Sequence, residues 1–206
     1  MYIMITDRCN MSCEHCCYNC TSSGKDMTLK TWGAALKLCL DMGEEYLTIG
    51  GGEPTLHSRF WQFLGEAMGN VDGVWLGTNG SNTKIALALA RLAKRGVVGV
   101  ALSLDSYHDK IDPVVEEAFG AREPPHQIRY GTDRTGEDLR EIRNVDGKEL
   151  NAGRCDFGKS GCPCPDIVIT PSGVIKGCGC EDAKEFGTVF KPNLPSDRED
   201  CCFGRA

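Results

Sequence analysis

Short apolar runs alternate with longer stretches of helical period over the first hundred residues. Residues 1–6 (MYIMIT) read as a strand. Residues 28–42 (TLKTWGAALKLCLDM) place Leu29, Trp32, Ala35, Leu36, Cys39 and Leu40 at helical spacing, with Thr28 as N-cap and Gly43 as stop. A second strand, 46–50 (YLTIG), precedes a helix over 59–68 (RFWQFLGEAM). A third, 74–77 (VWLG), precedes a helix over 82–95 (NTKIALALARLAKR) closed by Gly96. A fourth strand covers 97–104 (VVGVALSL). Apolar strands separated by helices predict an α/β fold, a parallel sheet or barrel with right-handed crossovers.

The pattern loosens after residue 108. Residues 112–120 (DPVVEEAFG) predict a short helix with Pro113 in its first turn. Residues 126–131 (HQIRYG) predict a fifth strand and 137–143 (EDLREIR) a helix. From Cys155 the text turns rich in Cys, Gly and Pro. This predicts a boundary near 145–155, dividing the chain into 1–150 and 151–206.

Charged residues make up 25% of the 206, the net charge is −6, and no basic stripe is present, which disfavours nucleic acid as the main partner. No apolar run has the length of a membrane span, and the N-terminus lacks the pattern of a signal peptide. Thirteen cysteines in such a chain point to a reducing, cytoplasmic setting and to metal or catalytic use, with a disulfide framework as the weaker alternative.

Each of the four strands ends in a polar or glycine-rich motif. The cysteine loop CNMSCEHC (9–16) follows the first, GGEP (51–54) the second and TNG (78–80) the third, while Ser103 and Asp105 close the fourth. Loops after parallel strands emerge on one face, so the four motifs converge. Cys9, Cys13 and Cys16 can hold one soft metal centre that keeps a position open, since a closed structural site takes four ligands. Gly51 and Gly52 allow close backbone approach. Glu53 offers a carboxylate to a ligand's ammonium, and Ser103 and Asp105 suit hydroxyls such as those of a ribose. The site calls for a ligand with an amine, a ribose and metal-binding atoms.

CNMSCEHC resembles the C-x3-C-x2-C motif of the radical S-adenosylmethionine superfamily, and GGEP resembles its Gly-Gly-Glu motif; the likeness covers about residues 1–110. It implies a partial (β/α)6-type barrel, shortened in its C-terminal half. It also implies a [4Fe–4S] cluster on Cys9, Cys13 and Cys16 whose unique iron chelates S-adenosylmethionine. Gly51, Gly52, Glu53 and Pro54 would meet the methionine amine, with Thr78 and Asn79 beside them. His15 would meet adenine, and Ser103 and Asp105 the ribose or carboxylate. Cys17 and Cys20 read as spare packed thiols, Cys39 as core, His57 as an ordinary loop histidine, and His108 and Asp109 as neighbours of substrate or cofactor.

Seven cysteines, Cys155, Cys162, Cys164, Cys178, Cys180, Cys201 and Cys202, lie in the tail, around a predicted hairpin in PDIVITPSGVIKGC (165–178). The spacing Cys162-x10-Gly173-x4-Cys178 resembles the opening of the SPASM and twitch domains, and the flanks AGR (152–154) and FGTV (186–189) resemble theirs. This implies an auxiliary [4Fe–4S] cluster on Cys162, Cys178 and Cys201, with Cys164, Cys155, Cys180 or Cys202 as fourth ligand. A zinc ribbon on Cys162, Cys164, Cys178 and Cys180 is the alternative.

The resemblance implies an enzyme that cleaves S-adenosylmethionine reductively and abstracts hydrogen from a peptide or protein side chain, for crosslinking, epimerisation or dehydrogenation. It also implies a flavodoxin- or ferredoxin-type electron donor. Because the chain starts at its first strand, a separate protein would recognise a leader peptide. A small molecule or nucleoside precursor is the alternative substrate. A non-catalytic iron–sulfur or zinc redox protein is the alternative of another class.

Overall fold

In a computed structural model, the structure describes residues 1–120, 136–143, 151–152, 154–156, 167–179 and 183–194. The predicted alternation is present. Strand β1 (Tyr2–Thr6) leads to helix α1 (Leu29–Asp41), β2 (Tyr46–Gly51) to α2 (Phe60–Met68), β3 (Gly73–Thr78) to α3 (Thr83–Lys94), and β4 (Gly99–Ser103) to α4 (Pro113–Phe119). Strand β5 (Arg140–Arg143) then adds to β4. Strands β1 to β5 are all parallel neighbours in sequence order, forming the wall of a partial barrel.

Helix α1 forms where expected because Thr28 caps it, its hydroxyl accepting the Thr31 N–H at 3.1 Å. Its apolar stripe buries Trp32, Ala35, Leu36 and Cys39. The Trp32 ring stacks on Phe63 of α2 at 4.5 Å. Each such large buried side chain is worth about 1.5–3 kcal/mol, against about 0.3–0.5 kcal/mol for an exposed i,i+4 pair such as Lys37–Asp41. The stripe, not the surface charges, therefore holds the helix down.

Strand side chains alternate between two faces. Ile3, Ile5, Leu47, Ile49, Val74, Leu76, Val100 and Leu102 pack in the main core with the helices. The opposite face carries Tyr2, Thr48, Gly50, Trp75, Gly77 and Ser103, which line an internal cavity.

Residues 137–143 are not a helix. Residues 140–143 pair in parallel register with 100–103 of β4, Ala101 facing Glu141 and Ser103 facing Arg143. The Leu139–Ile142 spacing looks helical, but four of the seven residues 137–143 carry acidic or basic side chains other than the capping Asp138. The open edge of β4 offers backbone partners that an isolated turn and a half of helix cannot supply. The fifth strand predicted at 126–131 lies outside the described residues.

The tail hairpin is present as β8 (Val168–Ile169) and β9 (Val174–Lys176), turning at Gly173, where φ is +84°. Strand β8 pairs in parallel with β1 and covers its free edge. Strands β10 (Glu185–Thr188) and β11 (Lys191–Pro192) continue the antiparallel end, giving nine strands in the order β11-β10-β9-β8-β1-β2-β3-β4-β5. A separate ladder pairs β6 (Asn151–Ala152) with β7 (Cys155–Asp156). No helix among the described residues is long and apolar enough to cross a membrane.

Candidate active site

The cysteine loop leaves the C-terminal end of β1 and is closed at its base by its own backbone. Asp7 donates to the Lys25 carbonyl at 3.1 Å, Cys9 to that of Thr21 at 2.8 Å, and Met27 to that of Ile5 at 2.7 Å. The Thr6 hydroxyl donates to Asp26 at 2.7 Å, and Arg8 spans from Asp26 to the Leu56 carbonyl. Gly24 is required here, since a Cβ would lie 2.3 Å from the Asp7 carbonyl carbon. Residues 9–20 are left to arch over the sheet, with Cys9, Cys13 and Cys16 half-buried.

These thiols are electrostatically unlike. Burial pushes Cys9 up, and burial together with the charges of Cys9 and Cys16 pushes Cys13 up to about 11. Cys16 is drawn down to about 5, first by a hydrogen bond from the Cys20 thiol and also by backbone donors and the Arg154 charge, against burial. Cys20, the donor, is pushed far up. Three thiolates around one void repel one another, and a cationic centre among them removes that cost. Three thiols on one short loop, all half-buried, are a donor set suited to an iron–sulfur cluster, whose ligands are thiolates.

The GGEP turn lies directly against this loop. Gly52 donates to the Thr6 carbonyl and Glu53 to the Arg8 carbonyl, both at 2.9 Å. Gly51 has φ +142°, and a Cβ on it would sit 1.9 Å from the Thr6 oxygen; one on Gly52 would sit 2.3 Å from the Arg8 oxygen. Both glycines line the cavity. The Gly51 N–H is taken by the Tyr2 hydroxyl at 2.9 Å.

The Glu53 carboxylate is fully buried, directly behind the cavity-wall residues Thr78 and Asn79. One oxygen accepts the Thr55 N–H at 3.1 Å, the Thr55 hydroxyl at 2.6 Å and the Thr78 hydroxyl at 2.9 Å; the other accepts the Asn79 N–H at 2.6 Å. Burial raises its pKa, and these four donors offset only part of that. Glu53 thus ties the end of β2 to the end of β3, with three donors on one oxygen and the Asn79 amide on the other. Pro54 is also buried, opening the short 3-10 turn Pro54–Leu56, and lies off the cavity wall. His57 is buried, with its ring nitrogens on the Met27 carbonyl and the Arg59 N–H, as befits a structural histidine.

Asn79 reaches back from β3 to the loop, donating to Asn10 Oδ1 at 3.1 Å and lying 3.8 Å from the Cys9 sulfur. Across the cavity, Asp105 accepts from Tyr107 N–H at 3.0 Å and pairs with His108 Nδ1 at 2.7 Å, while His15 Nε2 stands 3.4 Å from its other oxygen. Burial opposes the Asp105 charge, but the His108 hydrogen bond and charge, the Tyr107 amide and His15 outweigh it and hold the carboxyl below its ordinary value. The His15 ring stacks on Tyr107 at 4.8 Å. Asp109 is exposed and apart from the cavity.

Cys9, Cys13, His15, Cys16, Gly51, Gly52, Thr78, Asn79, Ser103, Asp105 and His108 therefore meet around one cavity of about 260 Å³. Further wall residues escaped the sequence reading, among them Tyr2, Trp75, Tyr18 and Arg143. Strand alternation could have indicated Trp75, but nothing in the sequence says which face of β3 is inward. Arg143 was hidden by the helix expected over 137–143. Cys20 is buried, Cys17 is half-buried, and both border the cavity; Cys39 is in the core.

Of the tail cysteines, Cys178 is buried and Cys155 lies in β7. Cys162, Cys164, Cys180, Cys201 and Cys202 lie outside the described residues, so of the three expected auxiliary ligands only Cys178 is described.

Comparison with known proteins follows the same residues. The chain is 35% identical over 115 residues to the mycofactocin maturase MftC of Mycolicibacterium smegmatis, covering 54% of this chain and 28% of that protein. It is 30% identical over 114 residues to the GTP 3',8-cyclase of Haemophilus influenzae, covering 53% and 34%. The chain thus spans about a third of the length of these curated relatives. Among solved structures, anSMEcpe with bound AdoMet and Cp18Cys peptide aligns over 98% of this chain and 82% of its own, with a TM-score of 0.54 and 16% identity, a likeness of fold. The family match runs over residues 3–132, from β1 past α4, and includes the cysteine loop, the glycine turn and the Ser103–Asp105 strand end: the chain belongs to the radical SAM superfamily.

Proposed function

We propose that Cys9, Cys13 and Cys16 hold a [4Fe–4S] cluster and that S-adenosylmethionine occupies the adjoining cavity. The observation that carries this reading is the convergence of those three thiols with Gly51, Gly52, Asn79, Ser103, Asp105 and Arg143 around one void. When bound, the pair supplies one-electron cleavage of the sulfonium bond and a 5'-deoxyadenosyl radical that takes hydrogen from a substrate.

The chain's own residues bind and orient. Gly51 and Gly52 line the cavity and let the backbone come within reach of an amine, with the Glu53 carboxylate just behind them. Ser103 and Arg143 are register partners on β4 and β5, so a hydroxyl and a guanidinium stand side by side for a carboxylate. Asp105 lines the cavity, held by His108 and the Tyr107 amide, and suits a ribose hydroxyl, while the His15 ring on the cavity wall, stacked on Tyr107, suits adenine. The Trp75 ring, with Leu76 and Met11, gives the cavity an apolar portion, which limits water around a reactive species.

A peptide or protein side chain is the favoured substrate. Its support is the cysteine-rich tail and the shared fold with a structure holding AdoMet and a peptide. The second reading, a nucleotide-like small molecule, is favoured by the likeness to GTP 3',8-cyclase. A second cluster on tail cysteines, a flavodoxin- or ferredoxin-type donor, a cytoplasmic setting and a division into 1–150 and 151–206 complete the proposal. The test is 5'-deoxyadenosine release by the anaerobically reconstituted, chemically reduced chain. Release that disappears in Cys13→Ala supports the reading; S-adenosylmethionine left intact by fully loaded protein overturns it.

A further inference from the structure

Arg154 stands between β6 and β7, whose register pairs Ala152 with Cys155, and it reaches the cysteine loop from more than 130 residues downstream. Its Nε donates to the Cys13 carbonyl at 3.2 Å and its Nη1 to the Cys20 carbonyl at 2.8 Å. Its backbone N–H donates to the Cys16 carbonyl at 2.9 Å. One residue of the tail thus satisfies three carbonyls of the loop, all of them on cysteines.

We propose that Arg154 is a positioning residue for the cluster-binding loop, a clasp that fixes the spacing of Cys13 and Cys16 and places a permanent positive charge beside the cluster. The proposal rests on the reading that Cys9, Cys13 and Cys16 hold that cluster.

The physical case has two parts. An arch without helix or strand has few internal partners for its carbonyls, and each half-buried carbonyl left without a donor is costly. The backbone ties at the base of the loop end at Cys9 and Thr21; within the arch the Cys13 carbonyl accepts the Cys16 N–H at 3.3 Å, and Arg154 adds the donors that reach the Cys16 and Cys20 carbonyls. The planar guanidinium can bridge two separated carbonyls in a fixed fork; a lysine ammonium, a point charge on a flexible stem, cannot hold both with the same geometry. The second part is charge. The guanidinium lies directly on the loop that carries Cys13 and Cys16, its nitrogens 3.2 and 2.8 Å from the Cys13 and Cys20 carbonyls. Net charge and hydrogen bonding around a cluster set its reduction potential, and a cation stabilises the reduced, more negative state. Arg154 therefore acts both on how firmly the cluster is held and on how readily it takes an electron.

The experiment uses the full chain, reconstituted anaerobically, as wild type, Arg154→Ala, Arg154→Lys and Cys9/Cys13/Cys16→Ala. Two readouts apart from turnover are taken: iron loss to a chelator over time, and the midpoint potential of the site-one cluster by EPR-monitored titration. Arg154→Ala should lose iron several-fold faster than wild type and shift the potential to more negative values. Arg154→Lys should recover most of the potential, which follows charge, and little of the chelator resistance, which follows the fork. If Arg154→Ala does not fold, Arg154→Lys decides: chelator resistance equal to wild type overturns the clasp. A loaded wild type with an Arg154→Ala variant of unchanged potential and iron retention overturns this inference alone. A wild type with no iron dependent on Cys9, Cys13 and Cys16 overturns the reading beneath it as well.

Discussion

The carboxylate of Glu53, at the end of β2, accepts the backbone N–H of Asn79, at the end of β3, across 2.6 Å. Asn79 in turn reaches the cysteine loop through Asn10 and the Cys9 sulfur. A single buried acid thereby sets the relative height of three of the four motif-bearing strand ends. Beside it, the backbones of Gly51 and Gly52 face the cavity.

Glu53 carries a pH signature. Burial raises its carboxyl pKa in the folded chain, so the folded state holds the proton more tightly than the unfolded one. Its contribution is then most favourable below the unfolded value near 4.5 and declines as pH rises from there through the raised folded value. In chemical unfolding across that window, wild type should lose stability relative to Glu53→Gln. A wild type that gains would mean that the four donors outweigh burial. Glu53→Ala, which strands those donors, should cost about 2–4 kcal/mol at neutral pH.

Gly52→Ala tests the contact between the glycine turn and the loop. Its Cβ would meet the Arg8 carbonyl oxygen at 2.3 Å, a backbone atom that cannot step aside without moving the cysteine loop. Iron loading should fall at least several-fold while helix content by circular dichroism stays near wild type. Loading equal to wild type would show that the turn and the loop are not rigidly coupled.

Much of this arrangement is legible from periodicity. Strands β1 to β4 and helices α1 to α3 follow their hydrophobic spacing, and Thr28 and Asn82 cap where their side chains can accept a backbone N–H. The convergence of motifs follows from parallel topology alone. Two things did not follow. The 137–143 segment has a local pattern that favours a helix, and only the vacant edge of β4 decides otherwise. The Glu53 carboxylate could turn toward ligand or protein; the two hydroxyls and two amides that hold it come from Thr55, Thr78 and Asn79, and the last two residues meet it only in the folded sheet.

Asp105 and Arg143 should separate binding from folding. Arg143 is half exposed, with its Nε 3.8 Å from Glu141, so Arg143→Ala should barely move the melting temperature. It should raise the Kd for S-adenosylmethionine on the order of tenfold or more, as expected for loss of one charge-assisted contact. Asp105→Asn should weaken binding too, and should also remove a stabilising term: the depressed Asp105 pKa means stability present above the unfolded value near 3.8 and lost as pH falls through the folded one. Unchanged binding in both variants would take the cofactor away from this side of the cavity.

Metal analysis distinguishes the two readings of the tail. With a second cluster, Cys178→Ala should remove about four irons and leave those of the first site. With a zinc ribbon, it should remove about one zinc and no iron.

The most direct measurement is iron per chain after anaerobic reconstitution, in wild type and in Cys9/Cys13/Cys16→Ala side by side. The difference between them, whatever the tail holds, should be about four irons, with a matching loss of the broad absorbance of a [4Fe–4S] centre. Equal iron in the two proteins would contradict the account, because the three thiols around the cavity would then hold no cluster.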